Sequence, residues 1–354
     1  MEIKSNIHNY SVIFEDTLEF MDQLKSMPSR VFVLDRKVSE MYPQLTKGVD
    51  NNDIILIDAI EENKTLDTVQ DLLKKLVARD EKKNLTLISL GGGIIQDITG
   101  YAASCLYRGI KWLFIPTTLL AQADSCVGSK TSINFHGYKN VLGGFYPPHK
   151  IFLYPGFTDS LPKADYYSGI GEIIKFMLLD DLKQPNFDEI HELVQDLYNK
   201  VNRKEGILRS LAVKQSYIKQ DEFDSGKRNL FNYGHCFGHA LETASSYEVP
   251  HGIAITIGMM FSNRVSKERN WLSQTTYTQL NERLFSPNIP ISLKRQWFDK
   301  DQLLTALKND KKRVGKDLTI ILPSSDNIEA VKVNDMTAEE FTSTLSLFIE
   351  EIFE

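Results

Sequence analysis

The sequence predicts an α/β N-terminal half followed by a mainly α-helical C-terminal half. Three observations predict it. Short apolar runs alternate with segments of helical periodicity up to about residue 116. A run of three glycines, Gly91, Gly92 and Gly93, joins one such run to a helical segment. From about Leu161 the apolar residues recur mainly at helical spacing. A chain of 354 residues also exceeds what one hydrophobic core usually serves. The boundary is expected near residue 160, giving domains 1–160 and 161–354.

In order, "SRVFVLD" (29–35), "NDIILIDAI" (52–60), "LTLISL" (85–90) and "KWLFIP" (111–116) read as buried strands, each short and bounded by polar or turn residues. Between the second and third, "TLDTVQDLLKKLVARD" places Val69, Leu72, Leu73 and Leu76 on one side of a helix. This alternation is the rhythm of a sheet covered by helices. The proline-bearing turns "YPPHK" and "YPGFTDSLP" precede the change of character. Beyond them "GIGEIIKFMLL", the stretch Leu208–Phe223, "FGHALETASSY" and "GIAITIGMMFSNRVSKE" read as helices, and "LTIILPSS" as a late strand.

Composition excludes several classes. The net charge of -6 opposes nonspecific binding to nucleic acid or acidic lipid. No apolar run is long enough for a membrane span, and the opening "MEIKSNIHNYSVIFEDTL" has no apolar signal core. Cys105, Cys126 and Cys236 show no paired spacing, which fits a reducing cytoplasm better than a disulfide framework.

The glycine turn can let backbone amides approach a phosphate, with the positive end of the next helix behind them and Asp97 on its first turns. The spacing is not G-x-G-x-x-G, so a tight turn in a crowded core is the competing reading. The long segment after the 111–116 strand is glycine-rich and carries or adjoins Arg108, Asp124, Lys130, Lys139 and Asn140. Such cations and amides can neutralise and orient a phosphate ester, although most lysines are simply solvated. Ligand crevices of open α/β sheets form at the carboxyl ends of strands, where this segment begins.

His235 and His239 stand four apart in "LFNYGHCFGHALE" and share a helix face, either as packed rings or as ligands. His251 opens a further helix, and Glu172 sits in an otherwise apolar stretch. A buried carboxylate needs a partner, which is either Lys175 one turn on or a metal. Glu172, His235 and His251 together offer a nitrogen and oxygen set that leaves a coordination position open, as catalytic zinc sites do. Lys214, Arg228 and Asn232 make a polar approach to the histidines. They read as an exposed turn with Asn232 as a cap, or as a second anion site.

At "GGGIIQDITGYAA", "RGIKWLFIPTTLLAQADSCVGSKTSIN", "KNVLGGFYPP", "LPKADYYSGIGEIIK", "NLFNYGHCFGHALE" and "HGIAITIGM", the chain resembles the 3-dehydroquinate synthase family among the sugar phosphate cyclases. The resemblance runs from roughly residue 30 to 320. It implies an N-terminal NAD-binding α/β domain, a helical metal- and substrate-binding domain, and a divalent metal, usually zinc, with cobalt an option. It implies Glu172, His235 and His251 as metal ligands. It puts Asp35, Glu61 and Lys64 near the adenosine end of NAD, with Gly91, Gly92, Gly93, Asp97, Thr117, Thr118, Asp124, Lys139, Phe157 and Ser160 in the same cofactor set.

For a sugar phosphate substrate it implies contacts from Arg108, Asp124, Lys130, Lys139, Asn140, Lys175, Lys214, Arg228, Asn232 and His239, and from one of Lys311 and Lys312. Among these, His239, Lys130, Lys175 and Asn232 would carry the chemistry, and Arg108 would act across a homodimer contact. The implied reaction oxidises a ring hydroxyl with NAD, eliminates phosphate, returns the hydride and closes a carbocycle by intramolecular aldol addition.

Several positions depart from the family pattern. Ser129 replaces the second glycine of Gly-Gly-Lys, and Ile253 replaces the glutamate of His-Gly-Glu, whose loss is expected to alter how His251 is oriented. Gln96 stands where glycine is usual, "NYGH" replaces Asn-Phe-Gly-His, and "LYPGF" lacks an aspartate. Lys214 with Arg228 favours a substrate carboxylate, hence 3-deoxy-arabino-heptulosonate 7-phosphate. The competing expectations are a specialised cyclase of sedoheptulose 7-phosphate, glucose 6-phosphate or an amino analogue, a metal-dependent polyol dehydrogenase, and a non-catalytic scaffold.

Overall fold

The computed structural model describes residues 1–80, 82–308 and 317–353. The chain divides into two compact units, Met1–Leu161 and Pro162–Glu354.

In the first unit the strands β1 (Glu2–Ile3), β2 (Tyr10–Phe14), β3 (Arg30–Asp35), β4 (Ile54–Ile57), β5 (Thr86–Gly91) and β6 (Lys111–Pro116) precede a hairpin of β7 (Lys130–Phe135) and β8 (Tyr138–Phe145). Strand β9 (Lys150–Leu153) returns to the main sheet, whose order is β1-β2-β9-β6-β5-β3-β4. The pairing is parallel throughout, except at the short edge β1–β2. Every residue of β5 is buried, as a strand covered on both faces requires. Phe32, Leu34, Ile88, Leu90, Leu113 and Ile115 pack with Phe20, Leu24, Phe152 and Phe157 in one apolar cluster.

Helices α1 (Phe20–Lys25), α2 (Arg36–Met41), α3 (Leu66–Val77) and α4 (Gly93–Cys105) connect these strands. Thr65 caps α3 by accepting from Thr68 N, and the helix buries Val69, Leu72 and Leu76, with Leu73 half-buried. Adjacent strands β3 and β5 send the chain outward in opposite directions, to β4 on one side and β6 on the other. Their carboxyl ends, at Asp35 and Gly91, therefore flank a topological switch point.

The second unit contains α5 (Lys163–Leu178), α6 (Phe187–Tyr198), α7 (Arg203–Gln220), α8 (His235–Ala244), α9 (His251–Glu268), α10 (Gln274–Gln279), α11 (Lys300–Lys308) and α12 (Ala338–Phe353), with one hairpin of β10 (Leu318–Pro323) and β11 (Ala330–Met336). The helical periodicity expected through Phe223 stops at Gln220. There Asp221 turns the chain by accepting backbone N–H bonds from Ser225, Gly226 and Arg228.

Helix α9 is central and packs on both α5 and α8 at very close range. A Cβ at Gly252 would lie 1.9 Å from Ser168 O, and one at Gly258 1.9 Å from Gly234 O. These two glycines therefore let the backbones of three helices nearly touch, which draws the side chains at their facing ends together. Among the described residues, no helix is long and apolar enough to cross a membrane.

Candidate active site

In the second unit, α5 contributes Glu172, the start of α8 His235, and the first residue of α9 His251. Glu172 is fully buried, and its Oε1 lies 3.7 Å from His235 Nε2 and 3.5 Å from His251 Nε2. Two donors about 2.1 Å from a zinc ion at a tetrahedral angle stand about 3.4 Å apart, so these spacings fit one ion held by all three groups. His239, one turn along α8, brings a third ring close. The ligand atoms of His235, His239 and His251 lie within 4.8 Å of one another. The mixed nitrogen and oxygen set suits zinc or cobalt.

The charge balance is tight. Lys175 Nζ sits 2.5 Å from Glu172 Oε2, with the two side chains 2% and 0% exposed. The same ammonium lies 4.7 Å from the centre of the Phe176 ring and 5.8 Å from that of Phe231. Burial alone would lower the His251 pKa, but the carboxylates of Glu242 and Glu172 overcome it and raise the ring to about 10. Glu242 Oε2 is 3.2 Å from His251 Nδ1. His251 is therefore held between two carboxylates, one at each ring nitrogen.

Lys214 on α7 and Arg228 beyond it are buried cations, 6% and 4% exposed. Arg228 donates from its backbone N to Asp221 and from its guanidinium to Glu222 O at 2.5 Å. Asn232 donates to Asn229 O at 2.8 Å, closing the short turn before His235. Lys311 and Lys312 lie outside the described residues.

In the first unit, the carboxyl ends of β3, β5 and β6 gather a second set. Asp35 caps α2 through Lys37 N, and burial raises its pKa. Gly91 has no room for a side chain, since a Cβ there would lie 2.6 Å from Ile95 Cγ1. Thr117 N donates to Gly91 O at 3.0 Å, and the Thr118 hydroxyl accepts from Ala121 N at 3.1 Å. Asp124 follows in the turn Ala121–Ser125.

Asp97 on α4 meets Lys64 Nζ at 2.5 Å and accepts from the backbone N and hydroxyl of Ser132, both at 3.0 Å. Burial pushes the Asp97 carboxyl up, opposed by Lys64 and Ser132. Lys64 also donates to Asn140 Oδ1 at 2.6 Å. Glu61 accepts from Asn134 Nδ2 at 2.8 Å and lies 3.8 Å from Lys139 Nζ. Glu61, Lys64, Asp97, Lys139 and Asn140 thus belong to one polar network around the β7–β8 hairpin.

Arg108 and Lys130 are exposed. Phe157 is 1% exposed in the apolar core, edge-on to Tyr42 and Tyr154, while Ser160 accepts from the Tyr42 hydroxyl at 2.9 Å.

Sequence reasoning gave no role to four participants, of which it had noted only Gln96, as a departure from the family pattern. Ser132 and Asn134 lie on β7, on the face opposite its buried residues Thr131 and Ile133. Ser125 and Gln96 bond reciprocally, Gln96 Nε2 donating to Ser125 O and the Ser125 hydroxyl to Gln96 Oε1, both at 2.6 Å. The unusual glutamine therefore ties α4 to the turn that carries Asp124.

Residues 54–168 match the family model for the 3-dehydroquinate synthase N-terminal domain, and residues 169–313 that for the C-terminal domain. Among curated proteins, the chain is 31% identical to the 3-dehydroquinate synthase of Streptococcus equi subsp. equi (strain 4047), over 92% of each chain. It is 32% identical to that of Clostridium tetani (strain Massachusetts / E88), over 96% of this chain and 87% of the relative. Among solved structures, the 2-epi-5-epi-valiolone synthase from Streptomyces hygroscopicus subsp. jinggangensis 5008, with NAD+ and Zn2+ bound, shares the fold with a TM-score of 0.83 and 24% identity over 97% of each chain. With both family models matched in sequence and relatives above 30% identity along nearly its whole length, the chain belongs to the 3-dehydroquinate synthase family.

Proposed function

We propose that the protein is a 3-dehydroquinate synthase, converting 3-deoxy-arabino-heptulosonate 7-phosphate to 3-dehydroquinate and phosphate with NAD and a divalent metal, zinc or cobalt. The observation that carries this reading is the Glu172–His235–His251 cluster, found in a chain whose relatives of that name match over nine-tenths of its length. The valiolone synthase of the same fold was solved with NAD+ and Zn2+, which supports the same pair of groups here. When bound, NAD would accept and return a hydride while the metal polarises the substrate's hydroxyl and ketone oxygens.

The chain's own residues divide the remaining work. Glu172, His235 and His251 hold the metal. Asp35, Glu61 and Lys64 serve the adenosine end of NAD, and the Gly91–Gly93 turn presents backbone N–H groups to its phosphates at the start of α4. Asp97, Thr117, Thr118, Asp124, Lys139, Phe157 and Ser160 complete or support that face. Lys214 and Arg228, both buried, receive the substrate carboxylate, because two desolvated cations are poorly used by a neutral sugar. Lys130, Lys139 and Arg108 neutralise the phosphate as it leaves, joined by Lys311 or Lys312, and Asn140 orients it by hydrogen bonding.

A ketone two positions from the phosphate-bearing carbon would acidify the C–H on the carbon between them, which sets up loss of that proton together with the phosphate. The departing phosphate takes that proton, with His239, whose ring centre is 5.4 Å from that of His235, assisting its movement. Lys175 and Asn232 orient the ring hydroxyls. Enclosure then keeps the opened intermediate from closing wrongly.

The protein works as a cytoplasmic homodimer in this reading, with Arg108 reaching a neighbouring subunit's phosphate site. Sedimentation of the purified protein as a monomer at assay concentration would reject that part.

The direct test compares product formation from 3-deoxy-arabino-heptulosonate 7-phosphate, sedoheptulose 7-phosphate and glucose 6-phosphate. The proposal expects 3-dehydroquinate from the first and little turnover of the others. Equal turnover of a sugar phosphate lacking the carboxylate would reject it and favour a specialised cyclase, the reading to which Ser129 and Ile253 lean.

A further inference from the structure

We propose that Glu242 is the positioning residue of the metal site: it takes the Nδ1–H of His251 and so turns Nε2 toward Glu172 and His235. The inference rests on the metal reading above and assigns a role to a residue outside the ligand set.

The geometry is a line of contacts across one ring. His251 Nδ1 is 3.2 Å from Glu242 Oε2, and its Nε2 is 3.5 Å from Glu172 Oε1. An ionised carboxylate can only accept, so Nδ1 keeps its proton against Glu242, and Nε2 is the nitrogen that would give up its own proton and offer its lone pair to a metal. Glu242 lies in the last turn of α8 and is 5% exposed, so the surrounding chain holds its carboxylate in place. His251 opens α9 with its side chain 34% exposed, so packing alone does not fix its ring. A hydrogen bond from a neighbouring helix does.

The same geometry resolves the departure at Ile253. Two residues along a helix turn the side chain by about 200°. Position 253 therefore points away from the His251 ring, and Ile253 is fully buried. The carboxylate that orients His251 comes from α8, nine residues earlier in the chain, and the absence of a glutamate at 253 leaves it untouched.

The test strips the full-length protein of metal and titrates it with zinc alone against a chromophoric chelator. Glu242→Leu is expected to weaken zinc binding about 100-fold, and Glu242→Gln, whose amide oxygen still accepts from Nδ1, about tenfold. NAD affinity should be unchanged in both. A merely structural role predicts something different: the metal-free and zinc-loaded melting temperatures fall together and the zinc affinity stays put.

Wild-type zinc affinity in a folded Glu242→Leu protein overturns the inference. If that variant does not fold, wild-type affinity in Glu242→Gln overturns it equally. A wild-type protein that takes up no zinc removes the metal reading and this inference together, whereas zinc-binding wild type with unaffected variants removes this inference alone.

Discussion

Replacing Glu172 by glutamine removes one charge from an ion pair that is almost completely buried in the second unit, while keeping its volume. The stranded partner is Lys175 Nζ, 2.5 Å away and 2% exposed. At an effective dielectric constant of about 20, two unit charges at that distance attract by roughly 6–7 kcal/mol before desolvation is counted. Breaking such a pair from one side usually costs about 3–5 kcal/mol, because the remaining charge stays buried. For a domain of this size that is a fall in Tm of roughly 6–20 °C.

Lys175→Met should cost less, because Glu172 retains His235 and His251 at 3.7 and 3.5 Å. The double variant Glu172→Gln/Lys175→Met should recover much of the loss of the first, since no charge is then stranded, yet it should still bind zinc poorly. Urea unfolding of the four metal-free proteins measures the cycle. A Glu172→Gln cost below about 1 kcal/mol, the range of exposed pairs, or strict additivity of the two changes would refute the argument that this pair is a coupled, buried one.

Other outcomes follow from the same geometry. His235→Ala should abolish most bound metal while leaving the fold intact, and metal analysis of the purified variant that finds wild-type content would remove His235 from the ligand set. Arg228→Ala should raise KM for the carboxylate substrate by roughly one to two orders of magnitude, as expected for a lost charge-assisted contact of about 1.5–3 kcal/mol, with zinc content unchanged. A matched analogue lacking the carboxylate should not suffer the same loss, and if it does the contact is not to the carboxylate.

His149 supplies a pH test away from the metal. Burial, its stacked neighbour His8 and Lys111 lower its pKa from 6.5 to about 4. The unfolded chain therefore binds the proton more readily between those values, and acidification from pH 6.5 to about 4 should cost stability. His149→Asn should flatten that part of the unfolding profile, and an unchanged profile would contradict the assignment.

The elements that were legible in the sequence are those whose burial pattern is strong. The runs 29–35, 52–60, 85–90 and 111–116 match strands β3 to β6, with β5 running one residue further to Gly91, because a parallel sheet covered on both faces needs continuous apolar stretches. The hairpin Lys130–Phe145 was not legible. Its second strand, β8, buries no residue fully, so no alternation marks it, and its glycines read as loop. The histidines and Glu172 were visible as residue types, but their convergence depends on Gly252 and Gly258 letting three helices touch, which no local pattern encodes. Glu242 carries no local signal of its role, since only the fold brings α8 and α9 together at His251. Ser132 and Asn134 were hidden for the same reason, because their partners Asp97 and Glu61 are distant in sequence.

The most direct test of the account follows phosphate release and NADH absorbance together in one reaction of the zinc-loaded protein with NAD and 3-deoxy-arabino-heptulosonate 7-phosphate. The account predicts many phosphates released per NAD, 3-dehydroquinate as the product, and no accumulating NADH. NADH rising in step with product would contradict a recycling cyclase and identify a dehydrogenase instead.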